Sequence, residues 1–132
     1  MESSGITRIG FIDDVFEVVV YTDDLACGVP HVHVVDRDTH GDYFNCSISL
    51  KRPKYYKSNV LDHKKYLSTL NNELKEKFNN FILASCKNHR FKNNYDYAVS
   101  MWNDNNSDSY IQLIEDENGR VVVPDYTKLP SL

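Results

Sequence analysis

The sequence predicts an α+β fold: a curved antiparallel sheet of four to six strands packed on one long amphipathic helix, with a shorter helix beside it. Three observations predict it. The first half of the chain consists of short β-branched and aromatic runs separated by acidic and glycine-containing turns. In the middle, Leu67, Leu70, Leu74, Phe78, Phe81 and Ile82 fall on one stripe at helical spacing. Near the C-terminus, Asn118-Gly119 sits between two apolar runs, which is the pairing a tight hairpin turn demands.

Taken in order, Ile6 to Ile12 and Val15 to Tyr21 read as two strands joined at Asp13-Asp14. Val18-Val19-Val20 is apolar on both faces, so the second strand belongs inside the sheet. Thr22 to Val29 is a loop punctuated by Gly28 and closed by Pro30. A second hairpin pairs His31 to Asp36 with Tyr43 to Leu50 across Asp38-Thr39-His40-Gly41. Here Val32 and Val34 alternate with His31, His33 and Val35, while Phe44, Cys46, Ile48 and Leu50 alternate with Tyr43, Asn45, Ser47 and Ser49. Matching the apolar faces puts Val34 opposite Phe44 and Val32 opposite Cys46, hence His33 opposite Asn45 and His31 opposite Ser47.

Pro53 ends the strand region. The long helix is expected from Asp62, a suitable N-cap, to Cys86. Lys87 to Lys92 is a basic connector containing His89. The shorter helix starts at Asn94 as cap, buries Tyr95, Ala98, Val99 and Trp102, and ends in Asn103-Asp104-Asn105-Asn106-Ser107-Asp108. Short strands are expected at Tyr110 to Glu115 and Arg120 to Val123. The 132 residues suit one domain, with 1–5 and 125–132 as loose tails.

Composition narrows the function classes. A net charge of -4 argues against general nucleic-acid affinity, which demands a basic face. The local cluster Lys51, Arg52, Lys54 and Lys57 is the exception to test. Cys27, Cys46 and Cys86 are odd in number and lack the spacing of a zinc ribbon, which fits a reducing compartment. The opening Met1-Glu2-Ser3-Ser4-Gly5 has neither a basic region nor an apolar run, so no leader is expected. No apolar stretch approaches the ~20 residues that cross a bilayer. A cytoplasmic protein is expected, in a bacterial cell or in the host cytoplasm if phage-encoded.

The segment Pro30-His31-Val32-His33-Val34 carries the clearest chemistry. Residues two apart on a strand share a face, so both imidazoles are expected on the polar, half-solvated side of the sheet beside Asn45 and Ser47. Two such rings can ligate zinc or another divalent transition metal, with Asp36, Asp38, His40, Asp42, His63 or Cys27 as further ligands. They serve equally as hydrogen-bonding groups on a wet face that holds no cofactor. A Cys27–His31 nucleophile pair, or an acid/base site of His31 with Glu17 or Asp23-Asp24, is the only other catalytic arrangement the residues suggest. Trp102, Asn103, Asn105 and Asn106 form the second distinctive group. They read either as a helix-end anchor with capping amides or as a polar recognition loop beside an aromatic anchor.

The Pro-His-x-His core, placed after a hairpin, resembles the Pro-Pro-His-Phe-His-Val segment of small bacterial DUF4160-type proteins over roughly residues 6–50, with Val29 at the position of the first proline. The run Tyr95 to Asn106 is similar to the Trp-Asn-x-Asn-Asn close of uncharacterised small proteins of Bacteroidetes-type genomes and mobile elements. These resemblances imply a fold and a genomic setting, and no activity. The expectation is a non-enzymatic protein-binding module, an inhibitor or accessory factor of a phage or mobile element in an anti-defence or toxin–antitoxin-like setting. Its partner is expected to be a basic protein steered by the acidic surface, with homo-oligomerisation through an aromatic sheet edge as a further expectation. The rival is a metal-dependent hydrolase or nuclease using His31 and His33.

Overall fold

A computed structural model of the chain describes residues 5–22, 30–36, 45–50, 72–106 and 111–124. Within them the fold is α+β. Strands β1 (Ile6–Ile12), β2 (Phe16–Tyr21), β3 (His31–Asp36) and β4 (Asn45–Ser49) form an antiparallel sheet in the order β1-β2-β3-β4. Helices α1 (Asn72–Leu83) and α2 (Asn94–Asn105) follow, and β5 (Ile114–Glu115) pairs with β6 (Val121–Val122) in a small separate ribbon. The expected start of the long helix, with Leu67 and Leu70, lies outside the described residues.

Each junction has a local cause. Asp13 and Asp14 both take positive φ, 55° and 57°, and the Val15 amide donates to the Ile12 carbonyl at 3.1 Å. That is a type I′ turn, whose twist matches the strands it joins. Asp tolerates the left-handed region better than most residues but still at some cost. Asp14→Gly is therefore expected to raise stability by about 0.5–1 kcal/mol, read from the urea midpoint. Lys77 of α1 binds the Asp13 carboxylate and stands 3.1 Å from Glu73, tying the turn to the helix. In β5–β6, Asp116 accepts from the amides of Asn118 (2.8 Å) and Arg120 (2.9 Å), and Gly119 supplies φ 81°. The turn falls at the predicted Asn-Gly pair, but its hydrogen-bonded loop runs from Asp116 to Gly119, whose amide donates to the Asp116 carbonyl at 3.0 Å.

The faces of the sheet follow from register. Val18 and Val20 of β2 join Val32, Val34, Cys46 and Ile48 in one core with Leu74, Phe78 and Ile82 of α1 and Tyr95, Ala98, Val99 and Trp102 of α2. The central strand is apolar on both faces as expected, with Val18, Val19 and Val20 at most 2% exposed. On the face away from that core lie Val19, His33, Val35 and Ser47, linked by the pairings Val19↔His33 and His33↔Ser47. A bulge between Arg8 and Gly10 lets Ile9 enter the core.

Three expectations need correction. Helix α1 ends at Leu83, because Asn94 Nδ2 donates to the Phe81 carbonyl (2.8 Å) and Ser85 bridges to Asn93, which pulls the chain off the helical path before Cys86. The cap of α2 is Asn93, one residue earlier than expected. Its extended backbone (φ -146°, ψ 177°) leaves its side-chain oxygen to accept from the Asp96 amide at 2.9 Å. Asn93→Ala is expected to cost about 1 kcal/mol in chemical denaturation. Finally, β3–β4 is offset by two residues from the expected register: Val34 faces Cys46 and Val32 faces Ile48, so His33 faces Ser47 and His31 faces Ser49.

Candidate functional site

The histidine row lies on β3, an inner strand of the four-stranded sheet. His31 is fully buried and His33 is 3% exposed, so the expected half-solvated polar face is corrected to an enclosed one. The His33 ring lies with its centroid 4.5 Å from that of Tyr21 and 5.0 Å from that of His31, both edge-on. The His31 ring in turn stands 5.0 Å from the indole of Trp102. Ser47 Oγ is 3.4 Å from His33 Nδ1. The result is a continuous stack Tyr21–His33–His31–Trp102 that joins the two faces of the sheet at one end of β3. The Tyr21, His33 and His31 rings gain edge-to-face contact beyond their burial.

This stack contains the residues expected for a metal site. Among the described residues, no three His, Cys, Asp or Glu side chains come together in a way that could hold a metal ion. His40, His63, Cys27, Asp38 and Asp42 lie outside them, as do Lys51, Arg52, Lys54 and Lys57. Glu17 is bound to Arg8, which also stacks 4.9 Å from the Phe11 ring. Cys46 is fully buried, and burial pushes its thiol up to about 12, so it stays protonated and inert at neutral pH.

The asparagine group is committed to the fold. Asn103 closes a two-way clamp on Ile111, donating to its carbonyl (2.8 Å) and accepting from its amide (3.0 Å). Asn105 donates to the Met101 carbonyl (2.8 Å) and to Thr7 Oγ1 (3.2 Å), and its oxygen accepts from Thr22 Oγ1 (3.3 Å). Asn106, buried, donates to the carbonyls of Tyr21 (3.0 Å) and Trp102 (3.3 Å). Together they fasten the end of α2 to β1, to β2 and to the segment that follows. Trp102 is the buried anchor. The backbone of Asn45 pairs with that of Val35.

A surface site emerges that the sequence did not single out. A cleft of about 570 Å³ runs along β1 and the α1–α2 junction, lined among others by Arg8, Phe11, Phe81, Cys86, Lys87 and Tyr97. Its volume falls in the range of ordinary ligand pockets. Gly10 makes it possible: a Cβ built there would lie 2.7 Å from Cε1 of Phe81. The Phe81 ring therefore rests directly on the β1 backbone and forms the cleft wall. The bulge beside Gly10 was not legible in the alternation of β1, and the cleft depends on it. No family model, curated protein or solved structure matches this chain.

Proposed function

We propose that this protein is a non-enzymatic protein-binding module whose contact surface is the cleft beside β1. The observation that supports the reading is the cleft's make-up. Half-buried aromatic rings of Phe11, Phe81 and Tyr97 lie among exposed polar and charged groups, with a thiol at Cys86. Aromatic anchors rimmed by polar groups are the composition of contact hot spots. The histidine stack and the asparagine cluster act as the rigid support that holds β1, β2 and α2 in place behind it. We assign the module the role of an inhibitor or accessory factor in a phage or mobile-element setting, acting in the cytoplasm. Small size and the Trp-Asn-x-Asn-Asn likeness support this assignment. No helix among the described residues is long and apolar enough to cross a membrane.

Site-specific photo-cross-linking in cells tests the reading. A cross-linker placed at Lys87 should trap a discrete partner, whereas one at Glu117, on the β5–β6 turn and outside the cleft lining, should not. Identical adducts at both positions, or none at Lys87, would sink it. The metal-dependent hydrolase reading draws on the closeness of the His31 and His33 rings. Elemental analysis of protein purified without affinity-tag metal is expected to show substoichiometric metal, and a full equivalent lost on His31→Ala with His33→Ala would establish the rival.

A further inference from the structure

Among the described residues, the α1–α2 connection is the strongly basic stretch beside the cleft. From Ala84 to Tyr95 the chain carries Lys87, His89, Arg90 and Lys92 and no acidic residue. All four are exposed. Lys87 itself lines the cleft, as does Arg8 of β1. The rings of Phe11, Phe81 and Tyr97 line the same cleft. On a chain of net charge -4 this wall is a local reversal of sign, and a bound segment responds to the local field rather than to the distant total.

We propose that the cleft takes an acidic segment of a partner protein, with an aromatic side chain seated among Phe11, Phe81 and Tyr97 and flanking carboxylates on Lys87 and Arg8. This rests on the protein-binding reading above and replaces the basic partner expected from overall charge. Lys87 is the stronger determinant, because the Arg8 guanidinium is shared with Glu17. The geometry favours a peptide over a single-stranded nucleic acid. Asp14, also in the lining, opposes any anion beside it, so the segment's carboxylates are assigned to Lys87 and Arg8. A cleft of about 570 Å³ suits one or two side chains rather than a run of stacked bases.

The test is an NMR titration of the full chain with blocked pentapeptides: Asp-Glu-Phe-Glu-Asp, its uncharged counterpart Asn-Gln-Phe-Gln-Asn and its basic counterpart Lys-Lys-Phe-Lys-Lys, alongside oligothymidylate. The acidic peptide should shift the amides of Gly10, Cys86 and Lys87, and bind about tenfold more tightly than the uncharged one. Lys87→Glu should abolish that preference. Lys75→Glu, the same charge reversal at a position that does not line the cleft, should leave it intact. Added salt should weaken the acidic peptide alone. Equal or tighter binding of the uncharged or basic peptide at the same amides would overturn the acidic partner while leaving the binding module standing. Tighter binding of oligothymidylate there would overturn it in favour of nucleic acid. No perturbation by any probe would overturn it outright, and the Lys87 cross-linking experiment would then decide separately whether the surface binds protein at all.

Discussion

Replacing Trp102 with alanine is expected to lower the unfolding free energy by about 3–5 kcal/mol. The indole is fully buried and belongs to the same core as Val32, Val34, Phe78 and Val99. Its removal deletes the largest wholly buried side chain and leaves a cavity that the surrounding strands, fixed by their ladders, cannot collapse to fill. It also strips the His31 ring of its aromatic neighbour at 5.0 Å, leaving a buried polar ring beside a void. A domain of this size has roughly 5–15 kcal/mol of stability in all, so the variant should unfold at a much lower denaturant concentration. Trp102→Phe, which keeps an aromatic ring there, should lose less than half as much. A loss below about 1 kcal/mol for the alanine variant would show that the stack contributes little.

The second large effect concerns Asp96, fully buried in the first turn of α2. Its Oδ1 accepts from the Val123 amide at 2.7 Å, whereas the buried Oδ2 has no hydrogen-bond partner among the described residues. Burial is the main influence on its carboxyl and pushes it up from 3.8 to about 6. The amides of Val123 and Asn93 and the charge of Lys92 oppose that rise, and the Asp116 carboxylate adds to it. The raised value fixes the sign of the pH dependence. The folded protein holds this proton more tightly than the unfolded chain does. The stabilisation is therefore complete below pH 3.8 and is lost as the pH rises through about 6. Thermal melts of the protein and of Asp96→Asn from pH 4 to pH 8 should diverge in one direction. The asparagine variant, which carries no charge to desolvate, should gain on the parent by roughly 2 kcal/mol between those limits. A constant offset across the range would mean that the carboxylate is solvated in the fold.

Much of the architecture was legible in the chain because local rules and global packing agree there. Strand β1 spans Ile6–Ile12 as read, and the adjacent pair Asp13-Asp14 forms the turn. The apolar stripe of α1 and the Tyr95, Ala98, Val99, Trp102 stripe of α2 are the buried sides of those helices. The separation of the β3–β4 faces was also correct, while the register was wrong by two residues. Alternation repeats every two residues, so a shift of two keeps every side chain on its face and costs nothing in the pattern. Only the backbone ladder, closed by pairs such as Val35↔Asn45, distinguishes the two registers.

The candidate site was less legible for the same kind of reason. His31 and His33 were located on the same face as Ser47, which was set opposite His31 but pairs with His33, and their burial depends on what surrounds that face, about which alternation carries no information. Asn103, Asn105 and Asn106 looked equally suited to recognition and to capping; the carbonyls and amides they meet belong to Ile111, Thr7 and Tyr21, far away in sequence or beyond a turn. The cleft was invisible because it is made by an approach between β1 and α1, with Gly10 admitting the Phe81 ring.

The sequence by itself determined the elements, their order, the two sides of each strand and the turn chemistry, because these depend on residues within a few positions of one another. The tertiary structure decided the β3–β4 register, the enclosure of the Tyr21–His33–His31–Trp102 stack and the existence of a cleft beside β1. Each of these arises where segments distant along the chain meet, and no local periodicity encodes how they meet.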